Sequence, residues 1–271
     1  MTGLLSRTVL LAALLILCLE MPAVAQSDDP DAVNRRILEL QRAGKRKEAI
    51  ELAERYVERV DERYDDDHPE YAAALRLLAG VLQEGGRVAK SERLLHRALR
   101  IDERSLGPDH PTIAVDLNEL GVLLIDASRS AEAEPLLRRA LEIDEQSLGP
   151  EHRNVAVDLF NLGASLRRQG NLAEAEPLLR RALAIEERVF GPSHPRVAAV
   201  LAELVLLLRA TQRNAEAEQL DRRARAITGR PPAAAKPRAT PVARKPAPAP
   251  APVQPKQAPA APEPEVPHIR P

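Results

Sequence analysis

The chain has 271 residues, of which 29% are charged and 2% are aromatic, and its formal net charge at pH 7 is −1. Residues 1–229 of the chain are net acidic, and the aromatic stacking groups typical of nucleic-acid-binding proteins are nearly absent, so we expect no nucleic-acid partner. Its single cysteine, Cys18, excludes an intramolecular disulfide framework and a metal site built from several thiolates.

Residues 1–25 have the pattern of a secretory signal peptide. Arg7 precedes an apolar run over Val9–Leu19, and Ala23–Ala25 fits the small-residue cleavage pattern. We predict cleavage before Gln26, a short linker over 26–30, and an exported, periplasmic protein with no stable membrane insertion after cleavage. The alternatives are an uncleaved membrane anchor and a lipoprotein. Both are disfavoured, because the apolar run is about half the ~20 residues that span a bilayer and Cys18 has no small residue beside it.

Between residues 31 and 229 the sequence repeats itself with a period of 42 residues. Four histidines mark this period, at His68, His110, His152 and His194. We place the repeats near 31–67, 68–109, 110–151, 152–193 and 194–229. A period of this size predicts a stack of similar supersecondary units instead of one globular core.

Each repeat has the pattern of two amphipathic helices, here called A and B. In the third repeat, apolar residues over Ile113–Leu124 recur at i, i+4, i+7 and i+11, and a second such set follows over Ala133–Leu141. The residues between them, Ala127–Ser130, allow only a tight turn, so the two helices should run antiparallel. We predict helix pairs at 70–105, 112–147, 154–189 and 196–228, and a less regular one at 31–62.

The packing positions of these repeats resemble those of a known family. Leu120-Gly121, Leu124, Ala133, Leu137 and Ala140, with the segments EAEPLLRRAL and LGPDHP, resemble the 42-residue tetratricopeptide repeats of kinesin light chains and nephrocystin-like proteins. The resemblance covers about 31–229. It implies an all-α, right-handed superhelical solenoid of about five antiparallel helix pairs, whose A helices line a concave face that binds peptides or proteins.

The implied register places certain A-helix residues on that face. In the first repeat they are Asn34, Leu38 and Gln41. In the later repeats the predicted peptide-binding residues are Arg76, Gln83, Asn118, Val122, Ile125, Phe160, Arg167, Arg168 and Arg209. An apolar strip flanked by arginines favours a peptide with acidic and apolar side chains, because guanidinium groups bind carboxylates bidentately. The alternative interpretation is that these arginines are ordinary solvated surface.

The sequence contains no motif for catalysis, a cofactor or a metal. Successive histidines of the 42-residue ladder should lie on the order of 10 Å apart, which is too far to share one zinc ion. We therefore expect each to help begin an A helix. Ser165 falls inside a predicted helix, and Asp65–Asp67 lacks the alternating ligands of a calcium loop. We expect a protein that is not an enzyme, with no cofactor.

Residues 230–271 are rich in proline and alanine and carry seven basic residues against two acidic ones. This composition predicts a disordered, extended, basic tail. Two functions follow from the whole pattern. The first is an exported protein-protein interaction scaffold, and the alternative is a structural cell-envelope spacer whose tail contacts cell wall or membrane. The oligomeric state stays open at this point.

Overall fold

The computed structural model describes residues 29–229, so the predicted signal peptide, most of the short linker and the predicted disordered tail lie outside the described residues. The regular secondary structure of the described residues is entirely α-helical. Its helices are α1 Pro30–Arg42, α2 Arg46–Arg63, α3 Pro69–Glu84, α4 Val88–Leu106, α5 Pro111–Asp126, α6 Ser130–Leu148, α7 Arg153–Gln169, α8 Leu172–Phe190, α9 Pro195–Ala210 and α10 Asn214–Thr228. The odd-numbered helices are the predicted A helices and the even-numbered ones the B helices.

The helices form five pairs that stack in chain order. Each A helix packs against the B helix that follows it, and each B helix packs against the A helix of the next repeat. The apolar faces bury side chains continuously from Val33 in α1 to Ala224 in α10. The predicted all-α solenoid of five helix pairs is confirmed.

A left-handed residue ends every A helix. The backbone φ is 73° at Gly44, 76° at Gly86, 62° at Ser128, 88° at Gly170 and 59° at Gln212. In each repeat the next residue donates its N–H to the carbonyl five positions earlier, as from Arg129 to Leu124 at 2.8 Å. Because L side chains disfavour this conformation, the turns at Ser128 and Gln212 are more strained than the three that use glycine.

The four periodic histidines are the N-caps of the later A helices. The Nδ1 atoms of His68, His110, His152 and His194 accept the backbone N–H two residues ahead, at 3.1–3.2 Å. Asp29 caps α1 in the same way through its carboxylate. This contact satisfies a backbone donor that the first turn leaves unpaired. Since Nδ1 is the acceptor, the ring must be unprotonated at that atom.

The A and B helices of a repeat approach closely because a small residue on one faces a large residue on the other. A Cβ added to Gly121 would lie 2.5 Å from Cδ2 of Leu137, and one added to Gly163 would lie 2.7 Å from Cγ of Leu179. The size order reverses in the first repeat, where the buried residues in the same register are Ile37 and Ala53. Different repeats therefore fill the same space with opposite choices of side chain.

The A helices lie on the inner side of the stack. Backbone contacts join α1 to α3, α5 to α7 and α7 to α9, whereas no two B helices approach as closely among the described helices. The B helices are linked instead by long charged side chains. One guanidinium in each of three repeats bonds both to a glutamate of the preceding B helix and to a proline carbonyl of the preceding loop: Arg139 to Glu103 and Pro108, Arg181 to Glu145 and Pro150, Arg223 to Glu187 and Pro192.

Candidate ligand-binding face of the A helices

The predicted binding residues occupy repeated positions on the A helices. Gln83, Ile125, Arg167 and Arg209 are spaced by 42 residues and form one line across α3, α5, α7 and α9. A second line consists of Arg76, Asn118 and Phe160. Val122 lies between the two lines, and Arg168 follows Arg167 at the C-terminal end of α7. The structure therefore brings the nine predicted residues together on consecutive A helices, but it gives them different surroundings.

Arg76 is held inside the protein by two carboxylates. Its guanidinium donates to Asp102 of α4 and, at 2.9 Å, to Asp116 of α5, and neither acid is exposed to solvent. Burial raises the pKa of Asp116 to about 8. The positive charge of Arg76 lowers this pKa, but the negative charges of Asp102 and Glu119 raise it. Burial also raises the pKa of Asp102. Arg76 is thus committed to partners within the chain.

Asn118 belongs to a buried polar chain between α5 and α7. Its amide donates to Asp158, and its carbonyl oxygen accepts the amide of Asn161 at 2.6 Å. All three side chains are buried. Burial raises the pKa of Asp158 well above its ordinary value. These hydrogen bonds fix the spacing of the two A helices.

Two further predicted arginines differ in how far partners within the chain occupy their hydrogen-bond donors. Arg167 donates to Glu203 of α9 at 2.5 Å, and that glutamate is only 1% exposed. Arg168 donates to the backbone carbonyl of Ile125 at 2.8 Å but is exposed to solvent. Because a guanidinium has five N–H donors, Arg168 keeps donors for an external acceptor.

The ends of the predicted site are more open. Gln83, which is half-buried, donates to Asp126 at 3.2 Å. Arg209 lies 3.4 Å from Asp221 and its side chain is 48% exposed. The polar groups at both ends of the site therefore face solvent.

The centre of the predicted apolar strip is closed. Ile125 and Phe160 are each 3% exposed and pack in the core between neighbouring repeats, and every residue over 155–166 of α7 is buried. Val122 is half-buried. A ligand would meet Ile125 and Phe160 only if the A helices separated, whereas it could reach Val122 directly. The neighbouring α9 also presents Ala202 and Leu206, which the sequence prediction did not include.

Sequence reasoning also missed the buried acids of the A and B helices, some of which hold predicted binding residues: Asp102 and Asp116 hold Arg76, Asp158 holds Asn118, and Glu203 holds Arg167. Asp102, Asp144 and Glu186 follow the 42-residue period on the B helices, and Asp116 and Asp158 follow it on the A helices. The sequence did contain a signal for these acids, because they recur at positions where the helix faces are otherwise apolar and buried.

Comparison with known proteins identifies the repeats. The family described as tetratricopeptide repeat matches residues 34–105, 72–146, 116–185 and 156–229. The chain is a tetratricopeptide repeat protein. The resemblance seen in the sequence is thereby confirmed.

Similar solved structures extend this result. The kinesin-light-chain-type repeats of Podosopora anserina are 25% identical with a TM-score of 0.62, over 77% of this chain and 98% of that one. BtubC from P. vanneervenii is 22% identical with a TM-score of 0.62, over 77% and 88% of the two chains. A Rap protein complexed with competence and sporulation factor is 19% identical with a TM-score of 0.58, over 72% of this tetratricopeptide repeat protein and 53% of that chain. The two less identical structures show the shared fold alone.

No curated protein matches the chain by sequence. Among residues 29–229, no helix is long and apolar enough to cross a membrane. Within the same residues, no cluster of three or more histidine, cysteine, aspartate or glutamate side chains is arranged to hold a metal ion.

Proposed function

We propose that the protein is an exported, periplasmic interaction scaffold that binds an extended peptide or protein segment along the inner face of its A helices. The observation that carries the proposal is that each of four consecutive A helices presents one accessible side chain of the predicted set: Gln83 of α3, Val122 of α5, Arg168 of α7 and Arg209 of α9. Stacked helical repeats use such extended concave surfaces for binding.

Four of the nine predicted residues supply the direct contacts in this proposal. Gln83, Val122, Arg168 and Arg209 are wholly or partly accessible. An apolar side chain of the ligand packs on Val122, and its carboxylates bind Arg168 and Arg209. Charge-assisted hydrogen bonds from arginine to carboxylate favour such a ligand over a basic one.

The other five predicted residues act beneath that surface. Arg76, Asn118 and Arg167 join neighbouring A helices through buried hydrogen bonds, and Ile125 and Phe160 fill the space between them. Their contribution to binding is to hold the accessible groups at a fixed spacing, because a preorganised surface loses less entropy when it binds.

Membership of the family supports a scaffold without catalytic activity, because tetratricopeptide repeats typically serve as binding modules. The Rap protein offers a precedent for a ligand complex in this fold, although its similarity extends to the fold alone. Export rests on the predicted signal peptide over residues 1–25, and the proposal needs no cofactor.

A peptide library tests the proposed site directly. The chain beginning at Gln26 is applied to immobilised extended peptides of varied charge and apolarity. We expect the bound peptides to be enriched in acidic and apolar residues, and the double variant Arg168→Glu/Arg209→Glu to lose at least about tenfold in affinity.

The matched control is Arg222→Glu, which reverses an arginine of α10 whose side chain is 73% exposed. It should bind as the unchanged chain does. Equal affinity of the inner-face variant, the control and the unchanged chain, with unaltered helicity, would reject the site.

The alternative function, a structural cell-envelope spacer, is favoured by the basic, proline-rich composition of residues 230–271. Deletion of these residues distinguishes the two. A scaffold keeps its peptide ligand after the deletion, whereas a spacer loses its retention in the envelope fraction.

A further inference from the structure

Two neighbouring B helices differ in charge at the same four outward positions, where α2 has four glutamates and α4 has three arginines and one histidine. Each position in α2 is separated by 42 residues from its equivalent in α4. The equivalent pairs are Glu51 and Arg93, Glu54 and His96, Glu58 and Arg100, and Glu62 and Arg104. We call the four glutamates of α2 the acidic stripe and the four residues of α4 the basic stripe.

Most of these side chains have no partner within the described residues. The exceptions are Glu54, which bonds to Lys90 at 2.7 Å, and Arg104, which bonds to the exposed Asp67 at 3.0 Å. The remaining six are exposed and form no ion pair in residues 29–229. Both stripes are therefore available to an external surface.

The other B helices do not have such stripes. The equivalent positions of α6 are Pro135, Arg138, Glu142 and Gln146, which mix charges and neutral groups. There the guanidinium of Arg138 already bonds to two glutamates of its own and the next repeat. Among the described B helices, only α2 and α4 thus combine one type of ionisable group, acidic or basic, at all four positions with a lack of internal ion pairs at most of them.

The two stripes lie side by side. The Lys90–Glu54 ion pair joins α4 to α2 directly. The helices run in the same direction because each is the B helix of its repeat. Each stripe is about 16 Å long at 1.5 Å per residue, and the two are separated by a distance on the order of 10 Å. The outer face of repeats one and two is therefore acidic on one side and basic on the other.

We propose that this outer face binds a second copy of the same chain, with the acidic stripe of each copy on the basic stripe of the other. A two-fold axis that runs parallel to the helices and between them brings α2 of one copy over α4 of its partner, in the same direction and register. An axis across the helices would instead oppose like charges. The contact is isologous, as in most homodimers.

A second copy fits this surface better than other partners do. A uniformly acidic segment would be repelled by the acidic stripe, and a basic one by the basic stripe. A partner must carry an acidic and a basic surface side by side in the matching order. An identical chain meets this requirement because it carries the same two stripes. Since exposed ion pairs are individually weak and are screened by salt, the dimer should form reversibly and dissociate as ionic strength rises.

Sedimentation velocity over a range of protein and salt concentrations tests the proposal, on the full chain and on the chain beginning at Gln26. At low salt the unchanged chain should dimerise as its concentration rises, and its dissociation constant should rise at least about tenfold with ~0.5 M salt. A chain that stays monomeric at millimolar concentration and low salt overturns the proposal.

Two charge-reversed variants make the test specific. Arg93→Glu/Arg100→Glu places acidic groups opposite Glu51 and Glu58 of the partner copy, and Glu51→Arg/Glu58→Arg places basic groups opposite Arg93 and Arg100 of the partner copy, so each variant alone should be monomeric. An equimolar mixture should form a heterodimer, because the reversed positions of one variant then face opposite charges on the other.

The control variant, Arg42→Glu/Arg222→Glu, carries the same change in net charge as the acidic variant at exposed positions outside the stripes, and it should dimerise normally. Circular dichroism checks that all variants remain helical. Failure of the mixture to associate, or dimerisation of either stripe variant alone, would contradict the proposed contact. The result is independent of ligand binding, because the stripes lie on B helices and the proposed groove on A helices.

Discussion

Because α5 and α6 approach closely at Gly121, we predict that Gly121→Ala destabilises the chain when Leu137 is present and stabilises it when Leu137 is replaced by alanine. In Gly121→Ala, the new Cβ would lie 2.5 Å from Cδ2, 2.7 Å from Cγ and 3.3 Å from Cδ1 of Leu137. Alanine favours a helix by about 1 kcal/mol over glycine, whereas overpacking a buried core costs about 1–3 kcal/mol. We expect a net loss of about 1 kcal/mol in the free energy of unfolding.

Removing the facing side chain should reverse this effect. Leu137→Ala alone costs about 2–5 kcal/mol, because it leaves a cavity at a fully buried site. In that background Gly121→Ala has room for its Cβ and should stabilise by about 1 kcal/mol. Gly80→Ala is the matched control. Its Cβ would meet nothing within 4 Å, so it should stabilise by about the same amount in either background.

Urea unfolding followed by circular dichroism measures all these variants, with the slope checked for constancy because repeat proteins can unfold in parts. If Gly121→Ala stabilised the otherwise unchanged chain as much as Gly80→Ala does, the contact with Leu137 would not limit the packing of α5 on α6, and the reasoning from size complementarity would be wrong.

Three further predictions concern single positions. Asp116→Asn should stabilise the chain at pH 8 and have little effect near pH 4. Because the folded chain favours the protonated acid, whose pKa is raised to about 8, the stability from this group is full below the unfolded pKa and is lost as the pH rises to about 8. Urea unfolding across this range should therefore show a flatter pH dependence for the variant. His152→Asn should remove part of the loss of stability in mild acid. Burial and Arg153 lower the pKa of His152, so its cap is present at neutral pH and is lost on protonation, by about 1 kcal/mol, in the same assay near pH 5. Gln212→Gly should raise the thermal midpoint by relieving a residue held at φ 59°, and an unchanged or lower midpoint would show that this turn is not strained.

Much of the fold could be predicted from the sequence because it depends on local periodicity. The spacing of apolar residues indicated the helices, the glycines at 44, 86 and 170 indicated the turns, and the histidines before each later A helix indicated where it begins. These features are set by contacts within about one turn of helix or within one repeat. Because similar residues recur at the same positions of most repeats, the helices and turns could be predicted without a tertiary structure.

The surroundings of the predicted binding residues could not be read in the same way. Arg76 and Arg167 carry the charge expected of ligand-binding groups, but their carboxylate partners lie 26–40 residues away in neighbouring helices. The register of Phe160 predicted a binding residue on the exposed face of α7, yet the adjacent A helices bury it. Whether a side chain faces a ligand or a neighbouring repeat depends on how closely the repeats stack.

The sequence by itself determined that this protein is a row of helix pairs, because a 42-residue period with two amphipathic segments can bury its apolar faces only by stacking. Only the tertiary structure decided which charges are neutralised between A helices and which remain in opposed stripes on α2 and α4. The physical reason is that local pattern specifies the helices, whereas the angle and separation between successive repeats determine which distant side chains meet.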